Sequence, residues 1–152
     1  MFYKSFSLRI SKPIKPYKKT IQVDSDKSIS IRSFLIGAIS HNISEVKNVL
    51  ESDDVFSCIN CLKKLGVKID KVKAKHYLVY GKGLGSFYVR KNTVLDCGNS
   101  GTTARLLIGL LSTNPDIQVK IKGDHSLNKR NMAKIINLMS EFGTSFLPKK
   151  KN

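Results

Sequence analysis

One order of strand and helix signals occurs twice along this chain, and that repetition restricts its fold more than any other feature. In the first half, Thr20 to Val23 alternates as a strand, Ser28 to Ser40 carries a helical spacing, and Ile43 to Val49 alternates again. A second helix opens at Ser52, and strands follow at Val67 to Val72 and Tyr77 to Tyr80. The second half repeats the order with a strand at Thr93 to Asp96, a helix at Thr102 to Leu111, a strand at Ile117 to Ile121, a helix at Arg130 to Phe142 and a strand at Thr144 to Leu147. These are two β-α-β-α-β units, and the expected class is α+β. Each unit is too small to cover its own apolar faces, so the two are expected to pack together and to want further neighbours.

The helices carry their own punctuation. The first presents Ile31, Leu35, Ala38 and Ile39 on one side, and the second presents Val55, Cys58, Ile59 and Leu62. Ser52 is placed to cap the second helix, with Asp53 and Asp54 at the positive end of its dipole, and Lys63, Lys64 and Gly66 close it. The last helix spaces Met132, Ile135, Ile136, Met139 and Phe142 as one buried face, ending at Gly143. Ahead of the repeats, Phe6 to Ile10 alternates and is separated from them by Pro13 and Pro16. The chain therefore divides into residues 1–17 (strand and connector), 18–148 (two repeats) and 149–152 (a basic tail).

Composition excludes several classes. An apolar fraction of 41% with 25% charged residues describes a globular chain, and no segment has the long uncharged run of a membrane span. No secretory signal is evident, so a cytoplasmic location is expected. The net charge of +16 points to an anionic partner, although the lysines are scattered and also suit a solvated surface. Cys58, Cys61 and Cys97 are odd in number and are expected as reduced, buried small hydrophobes. Cys58 and Cys61 form a C-x-x-C inside a helix without a second ligand pair at zinc spacing, and His41, His76 and His125 stand apart, so no metal is expected.

Chemistry concentrates where each unit's first strand runs into its first helix. Asp26-Lys27-Ser28-Ile29-Ser30-Ile31-Arg32 sets a lysine and a hydroxyl at a helix start, where unpaired N–H groups favour an anion, and Arg32 lies one turn beyond Ser28. Asp96-Cys97-Gly98-Asn99-Ser100-Gly101-Thr102-Thr103-Ala104-Arg105 makes a glycine-punctuated turn into a helix, which lets backbone approach a phosphate. Neither has the spacing of a Walker phosphate loop. Ser28, Ser100 and Thr102 can equally be ordinary caps, Gly98 and Gly101 ordinary turn glycines, and Lys27, Arg32 and Arg105 solvated helix charges.

The strings D-K-S-I-S-I-R at 26–32, S-D-D at 52–54, L-D-C-G-N-S-G-T-T-A-R-L-L at 95–107 and G-D-H-S-L-N-K-R-N-M at 123–132 closely resemble enolpyruvylshikimate-phosphate synthases. The sister UDP-N-acetylglucosamine enolpyruvyl transferases typically have K-N where Lys27-Ser28 stands. The resemblance covers roughly residues 18 to 148 and implies the enolpyruvyl transferase (inside-out α/β barrel) fold as an incomplete domain, with residues 1–17 belonging to the other globular half. It implies that Lys27, Ser28 and Arg32 hold shikimate 3-phosphate, that Lys27, Gly101 and Arg130 grip phosphoenolpyruvate with Asn99 and Thr102 shaping the loop, and that Lys27 has the catalytic position between both substrates. Arg105 matches the motif without an assigned role.

The implied reaction needs no cofactor, and its carboxylates and a further lysine come from the C-terminal half. The 152 residues alone are therefore expected to be inactive. Ser25, Ile31 and Asn131 depart from the family's usual glycine or similar small residue, histidine or asparagine, and proline. The competing readings are a non-catalytic remnant, a chain like the UDP-N-acetylglucosamine enolpyruvyl transferases, and a basic nucleic-acid-binding module, for the last of which no aromatic platform or recognised motif is present.

Overall fold

The computed structural model describes residues 7–9, 11, 12, 16, 18–21, 23–90 and 92–147. The first half consists of α1 (Lys27–Ile39), β1 (Ile43–Lys47), α2 (Asp53–Lys64), β2 (Lys68–Lys73) and β3 (His76–Tyr80). The second consists of β4 (Val94–Asp96), α3 (Gly101–Leu111), β5 (Lys120–Lys122), α4 (His125–Asn128) and α5 (Ala133–Glu141). β3 lies between β1 and β2 in an antiparallel sheet, with Ile43 opposite Tyr80 on one side and Ile69 opposite Val79 on the other. β4 and β5 form a separate parallel pair, with Leu95 opposite Ile121.

The core sits where the helices meet these sheets. Ile31, Phe34, Leu35 and Ala38 of α1 and Val55, Cys58, Ile59 and Leu62 of α2 are buried, joined by Val79, Leu95 and Leu107. The helical spacings of α1 and α2 thus face inward as the sequence predicts, with Ile39 half-buried at the edge and Phe34 as the added central residue. The Phe34 ring meets Tyr77 edge to face, centroids 5.4 Å apart, and truncating a ring so enclosed costs about 3–5 kcal/mol. Cys58, Cys61 and Cys97 are free thiols within this core, and burial pushes the Cys58 thiol up to about 12. The Cys61 Sγ donates to the Asp96 carbonyl at 3.3 Å, bracing the end of β4 from α2.

Several expected elements differ. Among the described residues, Thr20 to Val23 and Thr144 to Leu147 are not strands, and Ile21, Val23 and Leu147 are exposed. Alternation supplies an apolar face, but a strand also requires a neighbour's hydrogen-bond ladder, and among the described residues neither segment has one. α5 begins at Ala133 rather than Arg130, and the short α4 precedes it. Its apolar face is not buried: Ile135, Ile136 and Met139 are half-buried and Phe142 is 75% exposed, because among the described residues only α3 covers this helix substantially. Ser52 occupies the N-cap of α2, yet its buried hydroxyl makes no cap bond. Phe6, Ile10, Pro13 and the basic tail at 149–152 lie outside the described residues.

Glu51, just ahead of α2, ties that helix to the β2–β3 hairpin. Its Oε1 accepts from Lys71 Nζ at 2.8 Å, Tyr77 Oη at 2.6 Å and Lys75 N at 3.1 Å. Lys71 first, then the Tyr77 hydroxyl and the Lys75 amide, hold its carboxyl down at about 2. A carboxyl depressed on folding stabilises the fold fully above its unfolded value of about 4.3 and loses that contribution as pH falls toward about 2. Thermal melts of wild type and Glu51→Gln are therefore expected to differ at pH 6, with the variant lower. The two melting temperatures should converge as pH falls from 5 to 2.

Candidate functional site

The parallel pairing of β4 with β5 sets two chain segments side by side as they leave the sheet. Beyond the Asp96 and Lys122 pair, Cys97 N donates to the Lys122 carbonyl at 2.8 Å and Asp124 N donates to the Gly98 carbonyl at 2.8 Å. Asp96 folds the intervening turn by accepting from Gly98 N at 3.0 Å while it pairs with Lys122 Nζ at 2.9 Å. Gly123 permits this approach, since a Cβ there would stand 2.6 Å from the Gly98 carbonyl oxygen and would also strike the Leu127 side chain. Asn99 then bridges the segments: its Nδ2 donates to Asp124 Oδ2 at 2.7 Å, and its Oδ1 accepts from Arg130 Nη2 at 2.6 Å.

α3 starts inside this frame. Ser100 caps it, its Oγ accepting from Thr103 N at 3.2 Å, which leaves Gly101 and Thr102 in the first turn. Gly101 is buried beneath two guanidinium groups. A Cβ at this position would lie 2.7 Å from Arg130 Nη1 and 2.9 Å from Arg105 Nη1. Among the described residues neither arginine has a carboxylate within ion-pair distance, so two cations converge on a helix N-terminus with their donors not taken up by a direct ion pair. Such an arrangement attracts an anion with several oxygens, for which a guanidinium offers paired donors.

A second group of residues opens α1. Asp26, rather than Ser28, is the N-cap, its Oδ1 accepting from Ile29 N at 2.7 Å, so the helix begins at Lys27. Ser28 is half-buried in the first turn, and Arg32 Nη1 returns to the Ser28 carbonyl at 3.0 Å. Lys27 Nζ pairs with Asp54 Oδ2 of the α2 first turn at 2.7 Å, with the Lys27 side chain 48% exposed. The structure thus brings Asn99, Gly101, Arg105 and Arg130 together, and Lys27, Ser28 and Arg32 together. No hydrogen bond or ion pair joins the two groups among the described residues, although α1 and α3 are in contact.

Comparison with known proteins places the chain in a family. The family model for EPSP synthase (3-phosphoshikimate 1-carboxyvinyltransferase) matches residues 11–151. The chain belongs to the EPSP synthase family. Among curated family members, the 3-phosphoshikimate 1-carboxyvinyltransferase of Syntrophomonas wolfei is 43% identical over 90% of this chain and 31% of its own length. That of Caldicellulosiruptor saccharolyticus is 44% identical over 83% of this chain and 28% of its own length. An EPSP synthase structure from Acinetobacter baumannii superposes with a TM-score of 0.75 at 33% identity, covering 82% of this chain and 28% of that one. The chain spans about a third of the length of the EPSP synthases it matches.

Two of the three positions expected to depart from the family pattern have local accounts. Ile31 is fully buried in the core, and Asn131 Oδ1 accepts from Ala133 N at 2.7 Å, supporting the start of α5. The buried Ser25 hydroxyl has no hydrogen-bond partner among the described residues. The partnership of Lys27 with Asp54 escapes sequence reasoning, which explains Asp54 by the helix dipole; the S-D-D string beside the D-K-S string is the signal that holds it. The same is true of Asp124, whose partner Asn99 lies 25 residues away in the chain.

The glycine at 101 gives a direct test. Both atoms that a methyl group would meet are ends of flexible side chains, so Gly101→Ala is expected to keep the fold while pushing both guanidinium groups off the helix start. Inorganic phosphate should then bind roughly tenfold more weakly, the loss of about one charge-assisted contact. An NMR titration of the Ser100 and Thr102 amides measures this. Equal phosphate responses in the two proteins would disprove an anion seat over Gly101.

Proposed function

We propose that this chain forms the anion-gripping part of a 3-phosphoshikimate 1-carboxyvinyltransferase, which transfers the enolpyruvyl group of phosphoenolpyruvate to the 5-hydroxyl of shikimate 3-phosphate and releases phosphate. The observation that carries this reading is the convergence of Arg105 and Arg130 over buried Gly101 at the α3 start. Phosphoenolpyruvate presents a phosphate suited to that cradle, with Asn99 and Thr102 shaping its edge. Ser28 and Arg32 open a helix whose first turn suits the shikimate carboxylate, and Lys27 serves both substrates as the catalytic cation. No cofactor enters this scheme. Residues 18–148 act as the two-repeat unit, 1–17 as the connection to the other half and 149–152 as a tail, in a cytoplasmic enzyme.

Charge stabilisation is what these residues offer. Proton transfer needs groups free to exchange a proton, and the carboxylates that bond the proposed site residues are engaged: Asp54 pairs with Lys27, and Asp124 accepts from Leu127 N at 2.7 Å as well as from Asn99. Leu127 N first and Asn99 second hold the Asp124 carboxyl below the ordinary range, which suits a permanent acceptor better than an acid. The resemblance to EPSP synthases assigns the acid and base of this reaction to the two thirds of the relatives' length that the chain does not span.

Two measurements test the reading. Shikimate 3-phosphate and phosphoenolpyruvate at high concentration should shift the amides of Ser28, Asn99 and Gly101, while duplex DNA should bind without sequence preference and dissociate as salt rises. Tight, sequence-selective DNA binding would favour a nucleic-acid module instead. In a phosphate-release assay the 152 residues alone should give no turnover. Any activity restored by adding the C-terminal remainder of a related enzyme should disappear with Lys27→Ala. Turnover by the chain alone would show that its own residues include the acid and base.

A further inference from the structure

We propose that Asp124 is a positioning residue that acts through Asn99: by accepting from Asn99 Nδ2 it holds that amide with its oxygen toward Arg130, and so aims the Arg130 guanidinium over Gly101. This deepens the phosphate-cradle reading and rests on it for the ligand, though not for the geometry.

The chemistry of the three groups admits one orientation of the amide. A carboxylate only accepts hydrogen bonds and a guanidinium only donates them, so the Asn99 side chain must turn its NH2 to Asp124 and its carbonyl oxygen to Arg130. Reversing the amide would set NH2 against guanidinium donors and oxygen against oxygen, losing both bonds at once. The two Asp124 oxygens divide the work, Oδ1 capping α4 through Leu127 N at 2.7 Å and Oδ2 taking Asn99 at 2.7 Å. The ends of the relay are themselves fixed, since Asp124 N bonds the Gly98 carbonyl at 2.8 Å and Arg130 N bonds the Leu127 carbonyl at 3.0 Å.

The intervening amide also explains why the carboxylate is not in contact with the arginine. A direct Asp124–Arg130 ion pair would orient the guanidinium equally well but would occupy the charge and donors that an anionic ligand needs. The neutral amide passes on orientation and engages only Nη2, leaving Nη1 above Gly101.

Asp124→Asn separates these roles, because asparagine still caps α4 through its oxygen but presents NH2 to Asn99, which favours the reversed amide. Side-chain NMR of the 152-residue chain, without ligand and then with inorganic phosphate, gives two readouts. In wild type the Arg130 Nη protons should be resolved by hindered rotation. In the variant they should average at the same temperature, with the Asn99 Nδ2 protons moving upfield and the phosphate dissociation constant rising roughly five- to tenfold. If the asparagine variant does not fold, Asp124→Ser, which caps but cannot reach Asn99, carries the same comparison. Unchanged Arg130 and Asn99 resonances would overturn the proposal, as would altered resonances with unchanged phosphate affinity. If wild type shows no phosphate response at Gly101, the cradle reading fails, and the ligand-free resonances alone decide whether Asp124 holds Arg130.

Discussion

The parallel pairing of β4 with β5 is the interaction on which the site depends. It is only three residues long in each strand, yet it delivers the 97–101 turn and the 123–130 segment to the same place in matched register. Parallel strands require a crossover between them, and here α3 supplies it, so the helix that presents its N-terminus to the site is also the connection that makes the pairing possible. Cys61 braces β4 through the Asp96 carbonyl, and Lys64 Nζ reaches the Val94 carbonyl at 2.8 Å, so α2 supports the same short strand from the first half of the chain.

What could be read from the sequence follows from how local each signal is. The helices α1, α2 and α3 are legible because their apolar spacing, caps and terminators lie within one element; Gly66 and Gly143 indeed follow α2 and α5 with φ of 84° and 89°. The segments at 20–23 and 144–147 alternate as well as β1 does, but a strand is a property of two segments, and alternation says nothing about whether the second is present. α5 fails in the same way, since its face is apolar and its burial is decided by others.

The site divides along the same line. Lys27, Ser28, Gly101 and Thr102 lie in first helical turns, Asn99 just ahead of one and Arg32 one turn further in, so their candidacy is local to the chain. Asp54 and Asp124 gain their meaning from partners more than twenty residues away, and only the fold joins them. Both carboxylates serve cations, but differently. Asp54 touches Lys27 directly and shares its charge, whereas Asp124 stands one amide away from Arg130 and leaves the charge available.

The crowding of Arg105 and Arg130 over Gly101 has a thermodynamic consequence for the whole chain. Two like charges held together with no carboxylate in direct contact among the described residues repel each other, which raises the free energy of the folded state relative to the unfolded chain, in which they separate. Any multivalent anion that settles between them relieves that repulsion only in the folded form, so the folding equilibrium is linked to the solution's anion activity. Phosphate or sulfate buffers will accordingly give a sturdier protein than chloride at equal ionic strength, and the identity of the buffer becomes one of the variables that define this protein's stability.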